Sequence, residues 1–127
     1  MRRPGSAARS SGAWFSLRER DRAHLEDIRQ HGLELLSYLE GVSRRAYLAD
    51  RQLQLVAERL LEIIGEAAGA LSEDVRSAID YDWRGVRGLR NILAHQYGVV
   101  EPARVWGVLR NRVPALVDLV EGFLRGK

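Results

Sequence analysis

Apolar positions recur along this chain at three- and four-residue steps, and no stretch shows the two-residue alternation of a half-buried strand. Leu25, Ile28, Leu35, Leu36 and Leu39 follow Ser16-Leu-Arg-Glu19, which has the form of a capping box, and precede Gly41, a plausible stop. A first helix is therefore expected from about Leu17 to Glu40. The strongest stripe runs through Leu53, Val56, Ala57, Leu60, Leu61, Ile64, Ala67, Ala68 and Leu71. With Asp50 as its cap it predicts a helix from about Arg51 to Leu71. Between these two, "VSRRAYLAD" has room for a turn or two of helix. "SEDVRSAID" suits a short helix capped by Ser72. Asp82 precedes another three-to-four repeat, Trp83, Val86, Leu89 and Leu93, which Gly98 is placed to end. Pro102 fits the first turn of a last helix, whose stripe is Val105, Leu109, Val113, Leu116, Val120 and Phe123. Pro114 should kink or split it, because proline lacks an N–H and crowds the preceding turn. The predicted fold is all-α, an antiparallel bundle of four or five helices.

At 127 residues the chain is long enough for one domain with a core that needs no disulfide or metal. It has no cysteine, which excludes disulfide frameworks, thiolate zinc sites and cysteine nucleophiles and permits a reducing compartment, the cytoplasm. No apolar run approaches the ~18 residues of a membrane helix. Residues 1–16 are basic but lack an apolar stretch of signal-peptide length; they are expected to be a disordered extension ahead of a helical domain over 17–127. The basic balance is local. Setting aside Arg2, Arg3, Arg9 and Arg18 leaves sixteen basic against seventeen acidic residues, yet from Trp83 to Arg112 six arginines face the single acid Glu101. That excess suits an anionic partner, although solvated helix faces would account for it as well.

The arginine-rich stretch contains "RGLRNILAHQY", with one of only three histidines in the chain. On an ideal helix Arg90 and His95 lie about 140° apart around the axis and about 7.5 Å apart along it, whereas Asn91 and His95 share a face. Arg87, Arg90, Asn91 and Ala94 line one strip. A long arginine can still meet a histidine near a helix end on one phosphate, with a permanent cation from one and a proton donor or acceptor near neutral pH from the other. RNA carries its own nucleophile, the 2′-hydroxyl, so cleavage without metal needs a base, an acid and a cation. One chain offers one well-placed histidine; a two-fold dimer would bring two histidines and two arginines to one cleft. The same residues also suit purely structural roles, such as a contact with the helix C-terminus, a surface ion pair or a buried ring.

"LRNILAHQY" resembles the Arg-x4-His-x-Tyr motif of HEPN-domain proteins, and specifically that of the HepT-like toxin family. "RDRAHLEDI", "YLADRQLQLVAERLLEIIGEAAGALSED", "YDWRGVRGLRNILAHQYG" and "VWGVLRNRVPALVDLV" agree in order, so the resemblance covers about Arg20 to Leu124. It implies an all-α homodimer acting as a metal-independent endoribonuclease, the toxin of a toxin–antitoxin pair, with RNA as substrate and no cofactor. It implies a composite site at the dimer interface. There Arg90 stabilises the phosphate, His95 transfers the proton, Asn91 orients the histidine or the RNA, and Arg87 supports them. It further implies a minimal nucleotidyltransferase antitoxin that transfers AMP to Tyr97, setting negative charge and bulk beside the cationic site. One departure is "AIDYDW", where many relatives have a proline just before the tryptophan; a changed loop is expected there. A non-enzymatic helical module that binds nucleotide or docks a nucleotidyltransferase stays open as the alternative reading, as does a purely structural dimerising bundle.

Other polar residues point to structure. His24 and His31 can share a face of the first helix, but zinc would need more ligands nearby. Glu58, Glu62 and Glu66 make a stripe that suits solvation or salt bridges, with Glu66 in reach of the arginine cluster. Trp83 and Trp106 sit at apolar helical positions expected to be core or interface, with RNA stacking as the lesser reading.

Overall fold

The computed structural model describes residues 4–86, Leu93 and residues 101–126, with side chains from Glu19 onward. Its elements are α1 (Pro4–Leu39), α2 (Arg44–Leu48), α3 (Arg51–Ala70), α4 (Glu73–Ala78), α5 (Pro102–Asn111) and α6 (Val113–Arg125), and residues 83–86 and 93 are also helical. No strand occurs among the described residues, so the fold is all-α as the periodicity predicts.

The caps sit where short polar side chains precede the apolar stripes. Asp50 accepts from the Leu53 amide at 3.0 Å, Ser43 from Ala46 at 3.1 Å and Ser72 from Val75 at 3.3 Å. Gly41 ends the first turn sequence with φ of 74°, a left-handed conformation that costs glycine nothing. The start of α1 differs from expectation. The helix begins at Pro4 rather than near Leu17, and Ser16 lies inside the helix instead of capping it. After Pro4, which suits a first turn, no proline interrupts the run, and its several alanines favour continuation. Pro114 splits the C-terminal stripe into α5 and α6, and Arg112 sits in the gap as the cap residue of both.

Helix α1 packs against both α3 and α6, α5 packs on α6, and α2 bridges α3 and α5. Both α1 pairings are antiparallel. Asp21, midway along α1, meets Ser72, just past α3, while α2 and the start of α3 follow the C-terminal end of α1; Arg29 pairs with Glu121 at 3.7 Å while Gly32 lies against Val117. The buried face of α1 reads Asp21, Leu25, Ile28, Gly32, Leu35, Leu39, alternating steps of three and four. It meets Leu60, Leu61, Ile64 and Ala68 of α3 and Val113, Leu116, Val117 and Val120 of α6 in one core.

The buried Asp21 and Gln54 side chains are hydrogen-bonded, whereas the Tyr47 hydroxyl has no hydrogen-bond partner among the described residues. Both Asp21 carboxylate oxygens accept from Ser72, from its amide at 2.8 Å and its hydroxyl at 2.7 Å, which joins the middle of α1 to the cap of α4. The buried Gln54 amide donates to the carbonyls of Tyr47 at 3.0 Å and Leu48 at 3.2 Å, fixing α2 on α3. Tyr47 is fully buried, its ring centroid 5.2 Å from that of Trp106, and burial together with the nearby Glu58 carboxylate pushes its hydroxyl pKa up to about 12. Glu58 is raised as well, by desolvation, against the lowering effect of Arg51 at 3.7 Å.

Two outcomes follow from this packing. A β-carbon at Gly32 would lie 2.5 Å from the Val117 Cγ2 methyl, and a β-branched side chain in a helix has little rotamer freedom to move away. Gly32→Ala should therefore lower the stability read from urea unfolding by about 1–2 kcal/mol despite its better helix propensity. In a Val117→Ala background the same change should turn stabilising; equal effects in both backgrounds would refute the steric account. Glu58, whose folded pKa is raised, favours the fold most below the ordinary carboxylate range and loses that contribution as pH rises through the raised value. Glu58→Gln should gain stability relative to the parent between pH 4 and pH 7, and a difference that stays constant across that range would argue against desolvation.

Candidate functional site

The segment that carries the predicted chemistry lies in the chain between α4 and α5. Arg87, Arg90, Asn91, His95 and Tyr97 lie outside the described residues. Its entry, its exit and Leu93, which packs half-buried against the core, are described.

The entry is held from two directions. Trp83 is buried, and its indole N–H donates to the carbonyls of Ile79 and Arg76, each at 3.1 Å, which satisfies carbonyls left free at the end of α4. Its ring meets the Tyr81 ring edge-on with centroids 5.4 Å apart. Asp82 caps the helical turn of residues 83–86, with Oδ1 accepting from the Gly85 amide at 3.1 Å. Its Oδ2 pairs with Arg112 Nη1 at 3.1 Å, across thirty positions of sequence. The Tyr81 hydroxyl donates to the Arg112 carbonyl at 2.9 Å. Arg112 therefore engages the entry through both its backbone and its side chain, and it can do so because the break at Pro114 leaves it between helices.

The electrostatics agree with this geometry. The Gly85 amide, then the Arg112 guanidinium, holds the Asp82 carboxyl below its usual range. Burial pushes the Tyr81 hydroxyl up, although Arg112 draws it down. Gly85 is placed where a side chain would intrude, since a β-carbon there would fall 2.6 Å from Asp82 Oδ2 and 3.3 Å from Arg112 Nη1.

Several of the other singled-out residues make structural contacts. His31 Nδ1 lies 2.8 Å from the Asp27 carbonyl, an ordinary contact one helical turn back. Among the described residues no group of three or more histidines and acids could hold a metal. Glu58 pairs with Arg51, and Glu62 with Arg59 at 3.2 Å. Trp106 is core, with the Arg110 guanidinium 5.6 Å above its ring. No helix among the described residues is long and apolar enough to cross a membrane. Periodicity and motif spacing missed the roles of Tyr81 and Arg112. The available signal was slight: Pro114, which marks a break, and two polar residues just ahead of the tryptophan.

A protein-family model described as "Ribonuclease HepT-like" matches residues 28–122, a span that includes the predicted motif and its clamped entry. A protein of Methanocaldococcus jannaschii that carries RNase in its name is 28% identical over 101 residues, which cover 79% of this chain and 93% of the relative. A similarly named protein of Caldanaerobacter subterraneus subsp. tengcongensis is 30% identical over 82% of this chain and 94% of its own length. One from Thermococcus cleftensis, named "Probable ribonuclease HepT", is 30% identical over 73% of this chain and 86% of its own.

The clamp gives a direct expectation. A carboxyl whose folded pKa is lowered keeps its ionised contacts above the ordinary value and loses them only as pH falls through the lowered one. Asp82, followed by its side-chain carboxyl carbon resonance, should titrate below 3.8 and move toward that value in Arg112→Ala. A midpoint indifferent to Arg112 would mean that the pair does not form in solution.

Proposed function

Because the chain belongs to the Ribonuclease HepT-like family, we propose that it is an endoribonuclease, the toxin component of a toxin–antitoxin pair that acts on RNA in the cytoplasm. The observation that carries this reading is the family match over residues 28–122, which spans Arg90, His95 and Tyr97 at the motif spacing. The RNase names of its relatives and the arginine excess around the motif support it.

The chemistry uses the substrate's own hydroxyl and needs no metal. A base removes the proton of the ribose 2′-hydroxyl, the O2′–P bond forms, and the P–O5′ bond breaks. A protonated group then gives its proton to the departing 5′-oxygen. The products are a 2′,3′-cyclic phosphate and a free 5′-hydroxyl. His95 transfers the proton, and Arg90 stabilises the charge that builds on the phosphoryl oxygens, with a forked donor suited to that geometry. Asn91 orients the imidazole or the RNA, and Arg87 adds positive charge. Base and acid are both required, so two His95 rings across a homodimer would complete the set. A minimal nucleotidyltransferase silences the enzyme by placing AMP on Tyr97, two positions beyond the histidine, where the added anion occupies the cationic site.

Mixed RNA incubated with the purified protein in chelator should yield cyclic-phosphate ends. Arg90→Ala and His95→Ala should each reduce the rate by about 100-fold or more. Intact RNA from a folded protein, with one AMP gained on Tyr97 in the presence of the nucleotidyltransferase, would instead identify a non-enzymatic partner. A protein that remains monomeric at working concentration would remove the composite site.

A further inference from the structure

A cavity of about 330 Å³ opens between α3, the clamped entry and the break between α5 and α6. That volume falls at the lower end of the ~300–1,000 Å³ common for small-molecule sites. Among the described residues, Leu61 and Ile64 of α3, Val108 of α5 and Leu116 of α6 give it apolar walls, and Tyr81 and Arg104 add an aromatic ring and a cation. Gly85 and Val86 also line it, and the next residue in the chain is Arg87, the first of the predicted cationic strip.

The polar groups around the cavity differ in what they can offer. The Tyr81 hydroxyl is spent on the Arg112 carbonyl, so the residue presents a fixed ring rather than a free donor. The Arg112 guanidinium is held by Asp82. Arg104 is exposed, and among the described residues its side chain has no hydrogen-bond or ion-pair partner. The cavity thus combines an apolar interior, one held aromatic ring and one available cation, within a stretch where six arginines face one acid. A flat group with apolar faces and an attached anion matches that combination. A nucleobase with its phosphate is such a group.

We infer that this cavity receives one nucleotide of the bound RNA, its base against Tyr81, Val108 and Leu116 and its phosphate on Arg104, beside the scissile linkage. The inference rests on the proposed ribonuclease function for its substrate class, but binding can be measured without cleavage. The role of Arg104 is to hold substrate, not to transfer a proton, so its loss is felt in KM rather than kcat.

The test uses the intact protein with two readouts. Adenosine, guanosine, cytidine and uridine 5′-monophosphates are titrated separately while the methyl resonances of Val108 and Leu116 are followed. At least one should shift both methyls saturably. Arg104→Ala should weaken that binding about tenfold, the scale of one charge-assisted contact, and Arg104→Lys should restore part of it. Val108→Trp, which fills the cavity and leaves the Leu116 methyls as the reporter, should abolish it, with helical content checked in parallel. In RNA cleavage, Arg104→Ala should raise KM about tenfold with kcat retained. If the wild type cuts RNA but none of the nucleotides moves these methyls and Arg104→Ala keeps the parental KM, the inference is overturned while the ribonuclease reading stands. If RNA is never cut, the ribonuclease reading fails and nucleotide binding alone decides the cavity. Shifts unaffected by both Arg104→Ala and Val108→Trp would place the nucleotide elsewhere and overturn it as well.

Discussion

Asp21, midway along α1, has its carboxylate withdrawn from solvent, and both of its oxygens end on Ser72, fifty-one positions away. A buried carboxylate is costly unless its lone pairs are occupied, and here one serine occupies them with a backbone amide and a hydroxyl. Because that serine also caps α4, the contact sets three things together: the register of α1 against α3, the point where α3 gives way, and the direction in which α4 departs. From α4 the chain passes to Trp83, whose indole N–H is anchored on the carbonyls of Ile79 and Arg76, and from Trp83 to the motif-bearing segment. The placement of the entry to that segment, residues 81–86, follows from the Asp21 contact through a short series of hydrogen bonds.

The C-terminal half of the protein closes the same series from the other side. Pro114 forbids one continuous helix, and the resulting break frees Arg112 to reach Tyr81 with its carbonyl and Asp82 with its guanidinium. An exposed ion pair by itself contributes little. Its consequence here is geometric, since Asp82 is bound simultaneously to the Gly85 amide and the turn at residues 83–86 is fixed against the α5–α6 junction. The arrangement also divides the arginines. Arg112 and Arg110 have partners in Asp82 and the Trp106 ring, whereas Arg104 is exposed beside the cavity.

Such a division suits a protein that handles a polyanion with few cations. Membership of the HepT-like ribonuclease family gives the reaction class, the cleavage of RNA. The described helices give the cavity apolar walls, and Asp82 with Arg112 clamps the entry to the motif segment.

Helix content, most caps, the proline break and the burial of Trp83 and Trp106 were legible in the sequence because each is a local matter. Apolar spacing of three and four, short polar residues before a stripe, and proline's missing N–H act over one or two turns whatever the rest of the chain does. The family was legible for a related reason, since a motif and its flanking phrases are linear. The extent of α1 was not, because the capping-box pattern at Ser16 competes with a helix-favouring run reaching back to Pro4. Three pairings were likewise decided only by folding: Asp21 with Ser72, Asp82 with Arg112, and Gly32 with Val117. Each joins residues thirty or more positions apart, and nothing in local propensity distinguishes the aspartate that will be buried from those that stay in water. That choice belongs to the packing of α1 between α3 and α6, which brings some polar groups together and closes them from solvent.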